Sequence, residues 1–252
     1  LGSAALSEAG EGFEIGCSYG SALAPADTSR PEQMLHLADQ RMYSTKAGRS
    51  SASRQSTDVL LQVLSERNSE LGDHLNAVAA LAEPVARRLG LSAAEVNRTQ
   101  TAAQLHDVGK SGIPDAILGK KGPLDEEEWK FMHRHTLIGE RIILAAPSLA
   151  PAAELVRSSH ERYDGEGYPD HLAGDEIPPG SRIIAVCDAF QAMTAERPYR
   201  GAISVAEALA ELRRCAGTQF DPVVVDEVCA QVEERQAASN GSGAPSPLAL
   251  RT

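Results

Sequence analysis

Histidines are concentrated in the middle of the chain, where five of the seven lie between residues 74 and 160. His106 and Asp107 are adjacent, and at a helix end such a pair can bind one metal ion while the second carboxylate oxygen reaches another. Glu70 and His74 are four residues apart, which places them on one face of a helix. Imidazole and carboxylate ligands without thiolate suit Fe or Mn better than a structural zinc site.

Asp188 is a further candidate ligand because it lies in a mostly apolar helical stretch, where a carboxylate is costly unless it is paired or metal-bound. His135 and His160 complete the candidate set. Several of these residues also have an explanation without metal. His106 and Asp107 alone could be a surface dipeptide. Asp188 could pair with an arginine, His74 could be a hydrogen-bonded core residue, and His133 or His135 could be exposed to solvent. Spacing alone leaves both interpretations open.

The segment that would position these residues, 58–236, is predicted to be helical. Apolar residues recur there at spacings of three and four, and strand-like alternation is absent. Ser92 and Glu95 form a capping-box pattern at the start of one helix. Further helices are expected at 125–145, 151–162, 181–196, 204–216 and 222–235.

Three other segments flank this helical region. Residues 1–49 combine a strand-like stretch with a helical one, which is too little to bury a core alone, so we expect an appendage or the end of a truncated domain. Residues 50–57 are predicted to be a linker, and residues 237–252 a disordered tail.

Charge and composition exclude several classes of protein. The formal net charge is −11 with a pI near 5.1, and no run of Lys or Arg is present, so duplex nucleic-acid binding is not expected. No apolar run is long enough to span a bilayer, so we expect no membrane contact within this fragment. The four widely spaced cysteines are typical of reduced thiols in a cytoplasmic protein.

Residues 58–236 resemble the HD-GYP domain, the cyclic di-GMP phosphodiesterase branch of the metal-dependent HD phosphohydrolase superfamily. The matching stretches are His106-Asp107-Val-Gly-Lys110, Ile113-Pro-Asp115, His135 with Gly139, His160-Glu161 through Asp164-Gly-Glu-Gly-Tyr168-Pro169, Arg182 through Asp188, Arg197-Pro-Tyr-Arg200 and Gly217 through Pro222. Because these motifs occur in order over the whole region, their combination is far more specific than any single motif. The resemblance implies a mainly α fold, the HD-domain helical bundle.

Residues 1–49 resemble the C-terminal end of a GGDEF (diguanylate cyclase) domain. Ile15 to Gly20 match its late strand, and Leu37 to Arg49 match its last helix. The resemblance implies a short α/β remnant ahead of the bundle, with GGDEF-domain proteins as expected partners. The GTP-binding signature loop is not in this chain, so no cyclase activity is expected from it.

The HD-GYP resemblance also implies roles for individual residues. One divalent metal would be held by His74, His106, Asp107 and Asp188, and a second by Asp107, His135 and His160. Glu70 matches an extra carboxylate of trinuclear members, so two or three ions, Fe or Mn, are expected. Asp107 and Lys110 would be catalytic, and cyclic di-GMP would contact Lys110, Tyr168, Arg197 and Arg200. The expected reaction is hydrolysis of cyclic di-GMP to linear pGpG, GMP or both by metal-activated water, and a homodimer is one expected assembly.

Two positions depart from the family pattern. Ser159 stands where a metal-binding histidine is expected, and Gln191 where the family tends to an aspartate. The loss of an imidazole leaves an alternative open, in which the module is catalytically degenerate and acts as a cyclic di-GMP receptor or a protein-interaction domain. Hydrolysis of another phosphorylated nucleotide by the same centre is a third interpretation.

Overall fold

The computed structural model describes residues 8–10, 13–15, 23, 27, 34–35, 52–66, 69–195 and 201–241. Two predicted ligand-binding arginines, Arg197 and Arg200, lie outside these ranges, as does most of the segment likened to a GGDEF domain. Within the described part, residues 8–15 contribute a short antiparallel pair of strands, β1 (Glu8–Gly10) and β2 (Phe13–Ile15), with Glu8 opposite Ile15. Residues 34–35 are helical.

Helices form most of the remaining described structure, as the sequence predicts. They are α1 (52–66), α2 (Ser69–Arg88), α3 (Ala93–Leu105), α4 (Asp115–Leu118), α5 (Glu126–His133), α6 (His135–Leu144), α7 (Ala153–Arg157), α8 (Pro179–Thr194), α9 (Val205–Arg214) and α10 (Pro222–Gly241). Short 3₁₀ helices lie at Val108–Gly112, Ala150–Ala152 and Gly174–Glu176. Among the described residues, no helix has both the length and the apolar character needed to cross a membrane.

The core is formed where α2 packs against α3 and α8, with α10 alongside. The apolar stripe of α2 is buried as its spacing predicts, and Leu75, Val78 and Val85 have no exposed surface. The predicted capping box at the start of α3 is confirmed, because Ser92 and Glu95 exchange side-chain to backbone hydrogen bonds. Helices α2, α3 and α8 bring His74, His106 and Asp188 together in one region of the bundle.

At two predicted boundaries a helix extends further than the sequence indicates. Residues 52–57 of the predicted linker belong to α1, where Thr57 is buried and its hydroxyl donates to the carbonyl oxygen of Ser53. Residues 52–57 have no apolar periodicity, so their sequence pattern does not predict a helix. Such a helix depends on tertiary packing for its stability. At the other end, α10 continues to Gly241, five residues into the predicted tail, through the good helix formers Ala237 and Ala238.

Two predicted helices also have different limits. The helix predicted at 125–145 is divided at Arg134 into α5 and α6, and His135 begins the second helix. The helix predicted at 151–162 ends at Arg157, because Ser158 has a non-helical ψ of 10° and the chain then turns into the loop that holds His160. Both breaks lie beside candidate ligands and set the directions of their side chains.

Candidate metal centre

Two groups of potential metal ligands lie side by side in the bundle. The first, cluster A, comprises His74 of α2, His106 at the C-terminal cap of α3 and Asp188 of α8. The second, cluster B, comprises Asp107, His135 and His160. Within each cluster the donor atoms lie within 4.8 Å of one another, and the adjacent His106 and Asp107 join the two clusters.

Cluster A is organised around the carboxylate of Asp188. Its Oδ1 lies 2.9 Å from Nε2 of His74 and 3.7 Å from Nε2 of His106. Nδ1 of His106 donates to the carbonyl oxygen of Ala103 at 2.8 Å, which leaves Nε2 as the nitrogen that faces the carboxylate. Among the described residues Asp188 is therefore paired with histidines, and the arginine pairing that the sequence left open is not found.

Cluster B brings together residues from three separate elements. Asp107 caps the 3₁₀ helix, His135 begins α6, and His160 lies in the loop after α7. Nδ1 of His135 donates to the carbonyl oxygen of Met132 at 2.7 Å, and its Nε2 lies 3.6 Å from Oδ1 of Asp107. The two backbone acceptors, at Ala103 and Met132, thus direct one imidazole lone pair into each cluster.

Four buried atoms in these clusters have no hydrogen-bond partner. They are Nε2 of His106, His135 and His160, and Oδ1 of Asp107. A buried polar atom without a partner costs free energy, and four of them in two adjacent clusters form a set that a protein rarely leaves unsatisfied. Their donor chemistry, imidazole and carboxylate without thiolate, fits divalent Fe or Mn. The residues present therefore fit a metal centre.

The charge states of the described ligands also favour a cation. Burial opposes the charge on Asp107, but Lys110 and His106 outweigh it and hold the pKa of this carboxyl well below its usual range. Burial lowers the pKa of His135 to about 4 and that of His160 to about 3, so both imidazoles are neutral, the form that binds metal.

His106 behaves differently from the other two imidazoles. Burial alone would lower the pKa of His106, but the charges of Asp107 and Asp188 outweigh burial and raise it to about 9. The two carboxylates thus favour a positive charge at Nε2 of His106. A metal ion bound there would take the place of that proton.

Two glycines allow cluster B to assemble. A Cβ on Gly109 would lie 1.8 Å from the carbonyl oxygen of His135, so the 3₁₀ helix and α6 can meet only if residue 109 has no side chain. A Cβ on Gly139 would lie 3.0 Å from Val156 of α7. These close approaches bring Asp107 and His135 within reach of each other, which explains why both glycines accompany the ligand motifs.

Lys110 extends the centre towards solvent. Its Nζ donates to Oδ2 of Asp107 at 2.6 Å, one turn along the 3₁₀ helix, and 31% of its side chain is exposed. The ammonium group therefore lies at the edge of the two clusters, where it can meet a ligand that enters from solvent.

The loop that follows His160 is closed by a buried carboxylate. Glu161 accepts hydrogen bonds from the backbone N–H groups of Asp170 at 2.7 Å and Leu172 at 3.2 Å. A Cβ on Gly167 would lie 2.2 Å from the backbone nitrogen of Arg162, so the loop needs glycine there. Within this loop the ring of Tyr168 stacks on His160, with 5.3 Å between centroids and 10° between planes.

Ser159 is buried beside the clusters but belongs to neither. It is 1% exposed, and its hydroxyl donates to the carbonyl oxygen of Val156 at 2.9 Å. The hydroxyl that stands in place of the expected imidazole thus has a backbone partner three residues earlier in the chain.

Three predicted residues are not placed by the described structure. Glu70 lies in α2, but its side chain is outside the description, and the same holds for the whole of Arg197 and Arg200. Their roles stay predictions. Conversely, the spacing of the residues indicates no role for His133, yet its ring stacks on Tyr168 with centroids 3.9 Å apart. Spacing gave no signal for this contact because the two rings lie on distant parts of the chain.

A helical domain in which an adjacent His-Asp pair joins two groups of imidazole and carboxylate ligands belongs to the class of metal-binding helical folds. Residues 58–224 match the HD domain family, and this chain belongs to that family.

Several characterised proteins resemble it. The "Cyclic di-GMP phosphodiesterase" of Thermotoga maritima is 42% identical over 170 residues, which cover 66% of this chain and 46% of the relative. The "3'3'-cGAMP-specific phosphodiesterase 2" of Vibrio cholerae is 37% identical over 169 residues, which cover 66% of this chain and 32% of the relative. This chain therefore spans less than half the length of either relative.

Among solved structures, Bd1817, a HDG"Y"P protein from Bdellovibrio bacteriovorus, superposes with a TM-score of 0.54 at 17% identity. The match covers 65% of this chain and 52% of that chain. At this identity the likeness shows a shared fold.

Proposed function

We propose that this chain is an HD-GYP-type phosphodiesterase that hydrolyses cyclic di-GMP to linear pGpG, GMP or both. The observation that carries the proposal is the position of Asp107 between the clusters. Its Oδ2 lies 3.8 Å from Nε2 of His106 and its Oδ1 lies 3.6 Å from Nε2 of His135. A carboxylate that presents one oxygen to each of two ligand groups is suited to bridge two ions.

Each residue has a defined part in this reaction. His74, His106 and Asp188 would hold one ion, His135 and His160 the other, with Asp107 common to both. When bound, two divalent ions supply Lewis acidity that activates a water molecule and offsets phosphate charge. Lys110 would offset the charge that develops on the phosphoryl oxygens, since its ammonium group is held beside Asp107 and partly exposed. Tyr168, stacked on His160, would line the substrate pocket.

The names of the relatives support a cyclic dinucleotide as substrate. One is named for cyclic di-GMP and another for 3'3'-cGAMP, so the shared chemistry is a cyclic purine dinucleotide with two phosphodiester bonds. Of the two, we favour cyclic di-GMP. On motif similarity alone, Arg197 and Arg200 would bind this substrate, and Glu70 would be a further metal ligand.

A receptor without catalysis is the second candidate, because Ser159 removes one imidazole. The four unsatisfied ligand atoms favour the enzyme, since a receptor that binds no metal has no use for them. The test is product formation from cyclic di-GMP and from 3'3'-cGAMP by anaerobically purified protein with added Fe(II) or Mn(II). Linear dinucleotide or GMP that appears with the intact site and not with Asp107→Ala establishes the enzyme. Saturable binding of dinucleotide by metal-loaded protein without product establishes the receptor.

Further proposals concern organisation and rest on sequence similarity. We propose that residues 1–49 are the end of a GGDEF-type domain and that GGDEF-domain proteins are partners of this chain. We also propose that the chain acts in the cytoplasm and that it can form a homodimer. Light scattering of the purified chain with and without cyclic di-GMP tests the dimer, since a mass of one chain under both conditions rejects it.

A further inference from the structure

Four rings form a continuous row from the metal clusters to the protein surface. This aromatic row consists of His160, Tyr168, His133 and Trp129. Tyr168 stacks on His160 with 5.3 Å between centroids and on His133 with 3.9 Å, and both pairs are nearly parallel, at 10° and 16°. Trp129 follows at 5.5 Å from His133, tilted by 47°.

The row ends in an exposed ring. Trp129 retains 47% of its surface, although a tryptophan is among the side chains that gain most from burial. It lies on α5 one turn before His133, so the helix presents both rings on the same side. At the inner end of the row, His160 belongs to cluster B. The row therefore connects the clusters to the exposed ring of Trp129, and a ligand with one group at the clusters can place another group beside that ring.

We propose that Trp129, supported by His133, is the stacking surface for a purine base of the substrate. The inference rests on the proposed function, because a cyclic dinucleotide carries a base on each side of its phosphodiester ring. Bases stack readily on aromatic side chains, and tryptophan offers the largest face. Tyr168 is stacked between His133 and His160, and His133 also contacts Trp129. His133 would therefore position Trp129 relative to the clusters.

Phe131 provides a matched control on the same helix. It is exposed to a similar extent, 45%, but the guanidinium carbon of Arg134 lies 5.7 Å from its ring centroid, and Phe131 is not part of the row. Loss of an exposed aromatic side chain from α5 can thus be separated from loss of the stacking surface.

The binding test uses the fact that Trp129 is the only tryptophan of the chain. Titration of the full chain with the phosphorothioate analogue of cyclic di-GMP, in the presence of Mn(II), should quench its fluorescence saturably. By calorimetry, Trp129→Ala should weaken binding about tenfold, in the range of other base–aromatic stacks. Trp129→Phe should restore most of the affinity, and Phe131→Ala should bind as the unaltered protein does. Equal affinity for Trp129→Ala and the unaltered protein, or no binding by the latter, overturns the proposal.

A kinetic comparison separates this proposal from the proposed function. Methyl p-nitrophenyl phosphate is a phosphodiester without a base, and its single ring is the leaving group, so Trp129→Ala should reduce kcat/KM for cyclic di-GMP about tenfold more than for this substrate. Equal losses on the two substrates overturn the stacking role and leave the phosphodiesterase intact. Hydrolysis of neither substrate by the unaltered protein rejects the phosphodiesterase, while the fluorescence and calorimetry still decide the stacking role.

Discussion

Lys110 donates to one carboxylate oxygen of Asp107 at 2.6 Å, while the other oxygen of that carboxylate is buried and has no hydrogen-bond partner. The two oxygens thus have different environments. The lysine keeps the carboxylate ionised, and the unpaired oxygen faces His135 at 3.6 Å. A carboxylate held in this way keeps Oδ1 available for a cation, while Oδ2, which also faces His106 at 3.8 Å, is shared with Lys110.

The first prediction concerns Lys110 itself. Replacement by Met removes the ammonium group and keeps most of the side-chain length. If Lys110 offsets charge on the transferred phosphate, kcat should fall by about 10²–10³, as for other single electrostatic donors. Steady-state kinetics on cyclic di-GMP measures the effect, and metal analysis of the variant shows whether both ions are still present. An unchanged kcat with full metal content would remove Lys110 from the mechanism.

Asp107→Asn tests the bridging carboxylate with a side chain of the same shape. The amide keeps one oxygen but loses the negative charge that both clusters use, so we expect bound metal to fall from two ions to at most one and hydrolysis to be lost. Metal analysis after dialysis gives the stoichiometry. Because the change removes the ionised partner of Lys110, we also expect some loss of stability, so circular dichroism and thermal unfolding serve as the control that the variant is still folded. Full hydrolysis by the variant would point to a contaminating enzyme or to a different centre.

Gly109→Ala tests how the 3₁₀ helix and α6 are brought together. The added methyl group would lie 1.8 Å from the carbonyl oxygen of His135, so one element must move. We expect the free energy of unfolding to fall by about 3 kcal/mol, at the upper end of overpacking effects. Gly122→Ala is the matched control, because a Cβ at that position meets nothing within 4 Å. Thermal unfolding of both variants decides the question, and equal midpoints would contradict the steric argument.

The sequence could predict the helical bundle and the identity of the six clustered side chains, but not how the ends of the helices arrange them. The apolar stripe of α2 and the capping box of α3 are local patterns, and the structure follows both. The break at Arg134 and the early end of α7 are set by packing around His135 and His160, and no local pattern reports such contacts.

Local sequence patterns also fail to predict the start of α1 and the contact made by His133. Small polar residues carry no periodic signal, so the helix over 52–57 could not be read from them. The stack between His133 and Tyr168 joins an α5 residue to a loop residue, which only the tertiary fold brings together. Arg197, Arg200 and the side chain of Glu70 lie outside the described residues, and for them sequence similarity is the sole guide.

The last prediction concerns Ser159, whose hydroxyl donates to Val156 at 2.9 Å in a buried position. Ser159→His should raise metal content and turnover, because an imidazole is a far better ligand than a neutral hydroxyl. The larger side chain must also be accommodated in a closed environment, so we expect stability to fall by about 1–3 kcal/mol.

Ser159→Ala separates the two effects. It removes the hydrogen bond without adding a ligand, and its metal content should equal that of the unaltered protein. Parallel metal analysis, kinetics and thermal unfolding on the three proteins give each quantity independently. If Ser159→His remains folded but gains neither metal nor turnover, the missing imidazole does not limit metal binding or catalysis. Cluster B would then be complete with Asp107, His135 and His160 alone.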